Sequence, residues 1–204
     1  NWLGEHPLEN VKKFIKELKT EFSSAQINFH GMTHYSQDQS LIKRFLFGKE
    51  HAYGGEFTKK NTKQIEQIFK SSFIIFKRIF NKHPKNFIAP RWENSNELLE
   101  VCKKMKIDYA EAPFHLINLR KDKKKPSLVL CFDYGSNKLL NYLPRIYAPV
   151  FVFLSSLFNL PLRFSIHPND VKNGNIEFEM NLLKKLLNNG WKPCTTKDFW
   201  EKKK

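Results

Sequence analysis

The stretch Ala25-Gln26-Ile27-Asn28-Phe29-His30-Gly31-Met32-Thr33-His34 changes character halfway along. Its first five residues read as a short strand, and that strand delivers His30 at its C-terminal end. Upstream, Leu8, Val11, Phe14, Ile15, Leu18 and Phe22 recur at helical spacing and predict a helix over 8–22. Downstream, helices are expected over 38–47, 60–80, 95–105 and 176–187, with Ser95 a candidate N-cap and Gly54-Gly55 a loop. Strands are expected over 86–89, 107–110, 114–118, 128–132, 162–166 and 191–193, with a last turn of helix closing the chain. Strands that alternate with helices argue for a single α/β domain over 1–204 with a mostly parallel sheet. In such folds the chemistry gathers at the C-terminal ends of the strands, where His30 and His167 fall.

Composition narrows the function classes. The 204 residues suffice for one domain, and 19 Phe supply bulky core material and aromatic surface for stacking on sugar rings. A net charge of +15 suits nucleic acid, an anionic membrane, an acidic substrate or plain solvated surface. Nucleic acid is not expected, because no zinc-finger or RNP pattern accompanies the charge. Cys102, Cys131 and Cys194 form no CxxC pair, which argues against a disulfide framework or a thiolate zinc site and fits a cytoplasmic protein. The segment 146–162 is almost uncharged and flanked by Arg145 and Arg163. Its 17 residues are short for a membrane span, leaving a core element, a lid or a membrane-surface segment as readings.

Four motifs carry candidate chemistry. In His30-Gly31-Met32-Thr33-His34 two imidazoles four apart can converge on one metal, with Gly31 permitting an unusual backbone angle between them. The spacing alone is weak evidence, since seven His yield such pairs by chance. In Ile166-His167-Pro168-Asn169-Asp170 a histidine at a strand end has a carboxylate three residues on, which suits a general acid held by Asp170 or, equally, a capped turn. Phe87-Ile88-Ala89-Pro90-Arg91-Trp92 ends a strand in proline, so that Arg91 could polarise a carbonyl and Trp92 wall a sugar site. Tyr53-Gly54-Gly55-Glu56-Phe57 presents Glu56 after a glycine pair, and Tyr35 follows the paired histidines.

Taken in order, these pieces resemble the polysaccharide deacetylase superfamily, the NodB-homology carbohydrate esterases, in a branch that combines HGxTH, GGEF, APxW and HPxD motifs. The resemblance runs from Ile27 to the end of the chain. It implies a distorted (β/α) barrel of fewer than eight strands and a divalent metal, most often Zn2+, held by His30, His34 and an Asp. It also implies a general acid at His167 and carbonyl and substrate contacts at Arg91 and Trp92; Asp170 is a candidate to support His167, and Glu56 and Tyr35 are candidates for further substrate contacts. Two departures stand out. The family's Asp-Asp pair on the first strand, which supplies the third ligand and the base, has no counterpart before His30 and is expected upstream of Asn1. Ile88 stands where the family usually has Arg.

The implied activity is metal-dependent hydrolysis of the N-acyl group of a sugar in a polysaccharide or lipid-linked glycan. The positive charge and the apolar segment extend that expectation to peripheral association with an anionic inner membrane face. The alternatives are an inactive carbohydrate-binding protein on the same fold and a hydrolase of another amide or ester.

Overall fold

The structure is a computed structural model that describes residues 26–33, 35–39, 53–134 and 138–201, with helical backbone also at Lys13, Lys16, Glu17 and Thr20. Those four positions are exposed, as the polar face of the helix expected over 8–22 should be. In chain order the elements are β1 (Tyr35–Gln39), β2 (Tyr53–Gly55), α1 (Thr62–Phe80), β3 (Asn86–Ile88), a 3-10 turn (Pro90–Trp92), α2 (Asn96–Lys104), β4 (Tyr109–Ala112), β5 (His115–Asn118), β6 (Lys123–Pro126), β7 (Leu128–Cys131), α3 (Lys138–Leu157), β8 (Leu162–Ser165), α4 (Pro168–Lys172), α5 (Ile176–Asn188) and α6 (Thr196–Glu201).

The protein is mixed α/β. Its described strands form three sheets, β1-β2, β3-β4-β5-β6 and β7-β8, and close no barrel among the described residues. A mostly parallel sheet was expected, but only β3-β4 and β7-β8 pair in parallel; β1-β2, β4-β5 and β5-β6 are antiparallel. The cause is local. Turns of a few residues join β4 to β5 and β5 to β6, and so short a connection can only reverse the chain. The strand expected over 25–29 contracts to one parallel bridge, in which Phe29 N–H donates to Asn86 O and Ile88 N–H to Phe29 O, both at 2.9 Å.

Several other expectations need correction. Asp38 and Gln39 belong to β1 rather than a helix, and the remainder of 38–47 lies outside the described residues. Gly54 and Gly55 are paired in β2, not in a loop, because β2 runs against the Pro90 turn. A Cβ on Gly55 would come within 2.6 Å of Pro90 O, so only glycine fits. Residues 191–193 form no strand. Helix α3 and strand β6 were not anticipated at all.

Helix α1 follows from its caps and its stripe. Asn61 accepts from Gln64 N and Gln64 Oε1 accepts from Asn61 N, both at 3.0 Å, a reciprocal capping box. Asn81 ends the helix in the left-handed conformation. Between them Ile65, Phe69, Phe73 and Phe76 are buried at helical spacing. Those rings close on Phe29 and Phe87: Phe29 lies 4.9 Å from Phe69 and 5.6 Å from both Phe76 and Phe87. Truncating any one of these rings is expected to cost about 3–5 kcal/mol. A second core, of Leu130, Phe132 and Ala148, joins β7 and β8 to α3 and α5.

Candidate functional site

Side-chain alternation along the strands builds the site. Phe29 faces the phenylalanine core while its neighbours Asn28 and His30 line an open cleft of about 1530 Å3. Leu130 and Phe132 enter the second core, and the intervening Cys131 and Asp133 line the same cleft. On β8 and beyond, Arg163, Ser165 and His167 line it as well. Arg91 and Trp92 complete the wall from the turn after β3. Four of the residues singled out in the sequence therefore meet in one cleft, drawn from three separate stretches of chain: His30, Arg91, Trp92 and His167.

His30 is held through Nδ1, 2.7 Å from Ile88 O. A carbonyl only accepts, so the ring carries its proton on Nδ1 and its lone pair on Nε2, the atom that would face a metal. Desolvation by the cleft walls lowers the His30 pKa against the opposing pull of the Ile88 carbonyl, and the charge of His167 lowers it further. Both effects favour the neutral imidazole that metals bind. The loop that follows is anchored from below. Glu56, buried on the turn after β2, accepts from Met32 N at 2.8 Å and Thr33 N at 3.2 Å. Gly31 passes over that carboxylate with φ of 92°, where a Cβ would lie 2.4 Å from Glu56 Oε2. Glu56 thus holds the loop backbone. His34 and the side chain of Tyr35 lie outside the described residues.

His167 begins α4. Its backbone N–H donates to Asp170 Oδ2 at 2.6 Å, and the same oxygen stands 3.9 Å from its Nδ1. Asp170 is fully buried, and that burial raises its pKa, with the His167 N–H pulling the other way. Asn169, between them, donates to Asp133 Oδ2 at 3.2 Å and so ties Asp133 to the His167 turn.

Arg91 and Trp92 occupy two successive left-handed backbone positions, with φ of 59° and 61°. Such conformations cost non-glycine residues about 1–2 kcal/mol each and concentrate at functional sites. Trp92 is clamped there: the Arg163 guanidinium lies 4.8 Å over its ring. Arg163 in turn donates to Ala112 O at 2.6 Å, Pro113 O at 2.8 Å and Glu111 Oε2 at 3.2 Å. Glu111 is buried and also accepts from Asn86 and Thr196.

Arg163 and Asp133 were not singled out as site residues from the sequence. Arg163 counted only as a charge beside an apolar segment, yet it is engaged inside the cleft wall. Arg145, the other flank, bonds Gly174 O at 2.8 Å and Asn175 Oδ1 at 3.0 Å. Both flanking arginines are engaged by the protein's own backbone carbonyls. No helix among the described residues is long and apolar enough to cross a membrane.

The donor chemistry fits a divalent cation in part. A neutral imidazole with a fixed tautomer at His30 is a zinc ligand type, and no group of three or more His, Cys, Asp or Glu assembles such a site among the described residues. Comparison with protein families, with curated proteins and with solved structures finds no match for this chain.

Proposed function

We propose that this chain is a metal-dependent deacetylase acting on the N-acyl group of a sugar, on a distorted (β/α) barrel of the polysaccharide deacetylase type. The observation that carries the reading is the convergence of His30 and His167, 137 positions apart in sequence by their numbering, on one cleft with Arg91 and Trp92. A divalent cation, most simply Zn2+, held by His30, His34 and a carboxylate, would supply Lewis acidity toward the acyl carbonyl and acidify water.

The chain's own residues do the rest. Asp133, one of four carboxylates among the residues lining the cleft and tied to the His167 turn through Asn169, takes a proton from attacking water in this reading. His167, its backbone fixed by Asp170, gives a proton to the departing amine, which leaves poorly without one. Trp92, held flat by Arg163, offers a stacking wall for a sugar ring, and Arg91 beside it directs a cation at the acyl oxygen or at an anionic group on the glycan. The three free thiols suit a reducing compartment such as the cytoplasm.

The test is metal analysis of the full-length protein together with a deacetylation screen on N-acetyl sugars. About one zinc per chain, lost in His30→Ala, and turnover lowered about 10²- to 10⁴-fold in His167→Asn with zinc retained, are the expected results. A protein that takes up no metal on reconstitution would remove the metalloenzyme reading.

A further inference from the structure

Helix α3 is apolar on both sides. Asn141, Pro144, Ala148 and Ser155 turn inward, and Tyr147 and Phe151 pack on the second core. The outward side carries Leu139, Leu143, Ile146, Val150, Phe153 and Leu157, each 41 to 74% exposed. Their spacing alternates four and three residues without interruption. This is the a/d seam of a helix that packs on another helix, sustained for almost three heptads. A helix apolar all round has a cover on each face, and here one cover is the protein's own core.

We infer that the other cover is a second copy of this chain, joined through α3 across a two-fold axis. The area agrees. At about 150–250 Å2 for a large aromatic side chain, and somewhat less for an aliphatic one, the exposed seam with neighbouring Tyr142 and Phe158 offers on the order of 900 Å2. That exceeds the roughly 300–600 Å2 of the largest patch on a typical monomer. It matches the roughly 800 Å2 per partner of a standard stable interface.

The geometry selects the arrangement. An antiparallel pair centred between Ile146 and Val150 sets Leu139 against Leu157, Leu143 against Phe153 and Ile146 against Val150. Each a position then meets a d position of the other copy, and the pairing is its own mirror under the two-fold, as an isologous contact requires.

Charge favours a second copy over a lipid surface. Helices that lie on membranes carry rows of Lys or Arg beside the apolar face. The one basic side chain described on α3 is Arg145, and it is committed to Gly174 and Asn175. Other described cations are paired with carboxylates elsewhere in the fold: Lys85 and Arg120 each stand 3.5 Å from Asp108, and Lys103 reaches Asp122 at 2.8 Å. The inner side of α3 packs on β7 and β8, so the seam lies one layer behind the strands that deliver Asp133 and His167 to the cleft.

Sedimentation velocity on the full chain over about 1 to 100 µM, at low and high salt, tests the inference. A dimer is expected that tightens with salt, because two bodies of +15 repel less when screened. Ile146→Asp and Phe153→Asp, both at exposed positions, should each weaken dimerisation at least about tenfold with unchanged circular dichroism. The Ile146→Cys, Val150→Cys double variant should crosslink between copies on mild oxidation, and Leu139→Cys, Val150→Cys should not. A chain that stays monomeric at both salts overturns the inference. If that monomer also pellets with vesicles of phosphatidylglycerol and phosphatidylcholine, the seam belongs to a membrane. A dimer indifferent to both aspartates overturns it equally.

Discussion

Replacing Glu56 with alanine should loosen the loop that carries the paired histidines, and the size of the effect follows from its bonds. One carboxylate oxygen accepts from both Met32 N and Thr33 N. A hydrogen bond to a charged group contributes about 1.5–3 kcal/mol when its partners are desolvated. Met32 and Thr33 are themselves exposed, so water can reach their N–H groups once the carboxylate is gone. The lower end applies, about 2–3 kcal/mol for the pair. In a domain of this size each kcal/mol moves Tm by about 2–4 °C, so Glu56→Ala should melt about 5–10 °C lower. Glu56→Gln keeps an acceptor of the same shape without the charge and should fall by about a third as much. Gly31→Ala reaches the same bonds from above, since its Cβ would sit 2.4 Å from Glu56 Oε2. That substitution should cost less in the Glu56→Ala background than alone, a coupling that only contacting groups show. Scanning calorimetry of the five proteins, wild type included, reads all of this, and zinc uptake should weaken in parallel. Equal melting of wild type and Glu56→Ala, or strict additivity with Gly31→Ala, would refute the anchoring argument.

Other substitutions probe the surroundings. Burial beside Asp170 pushes the Glu179 carboxyl up from 4.5 to about 7, with Arg145 offsetting part of it. A carboxyl raised on folding adds stability below pH 4.5 that is lost as pH rises toward 7, at most about 3 kcal/mol; Glu179→Gln should therefore stabilise at pH 8, leave pH 4 unchanged and flatten the urea midpoint between them. Arg163→Met strands the buried Glu111 carboxylate and should destabilise by about 3–5 kcal/mol, part of which Glu111→Gln restores in the double variant. Arg91→Gly relieves a left-handed non-glycine residue and should raise stability by about 1 kcal/mol while impairing substrate binding, read from KM. A loss of stability there would show that the Arg91 side chain, not its backbone, dominates.

What could be read from the sequence was what is encoded locally. Helix α2 begins where Ser95 suggested, with Leu98 N donating to the serine hydroxyl at 3.1 Å. His30, His167, Arg91 and Trp92 could be singled out because each lies within four residues of a strand end or bridge. Helix α3 could not, because its two apolar faces erase the contrast on which helical periodicity depends. Strand β6 shows no apolar alternation whatever; backbone pairing to β5 holds it, with Lys125 Nζ 4.8 Å over the rings of Phe199 and Trp200. Arg163 and Asp133 stayed hidden for a third reason. The partners that define them, Glu111 with Ala112 and Asn169, lie 36 or more residues away, and no local pattern announces a contact made through the fold.

Strand β6 has a consequence for the life of the folded chain in a crowded solution. Among the described residues it is a border of the four-stranded sheet, where a row of backbone N–H and C=O groups invites a strand from another molecule to add itself. The border reads Lys123-Lys124-Lys125-Pro126, and all four residues are exposed. An incoming strand would have to bring its backbone past three ammonium groups and then meet a proline that has no N–H to offer. The lysine run that looks like a docking surface therefore works as a guard against runaway sheet growth. It confines self-association to faces that close on themselves.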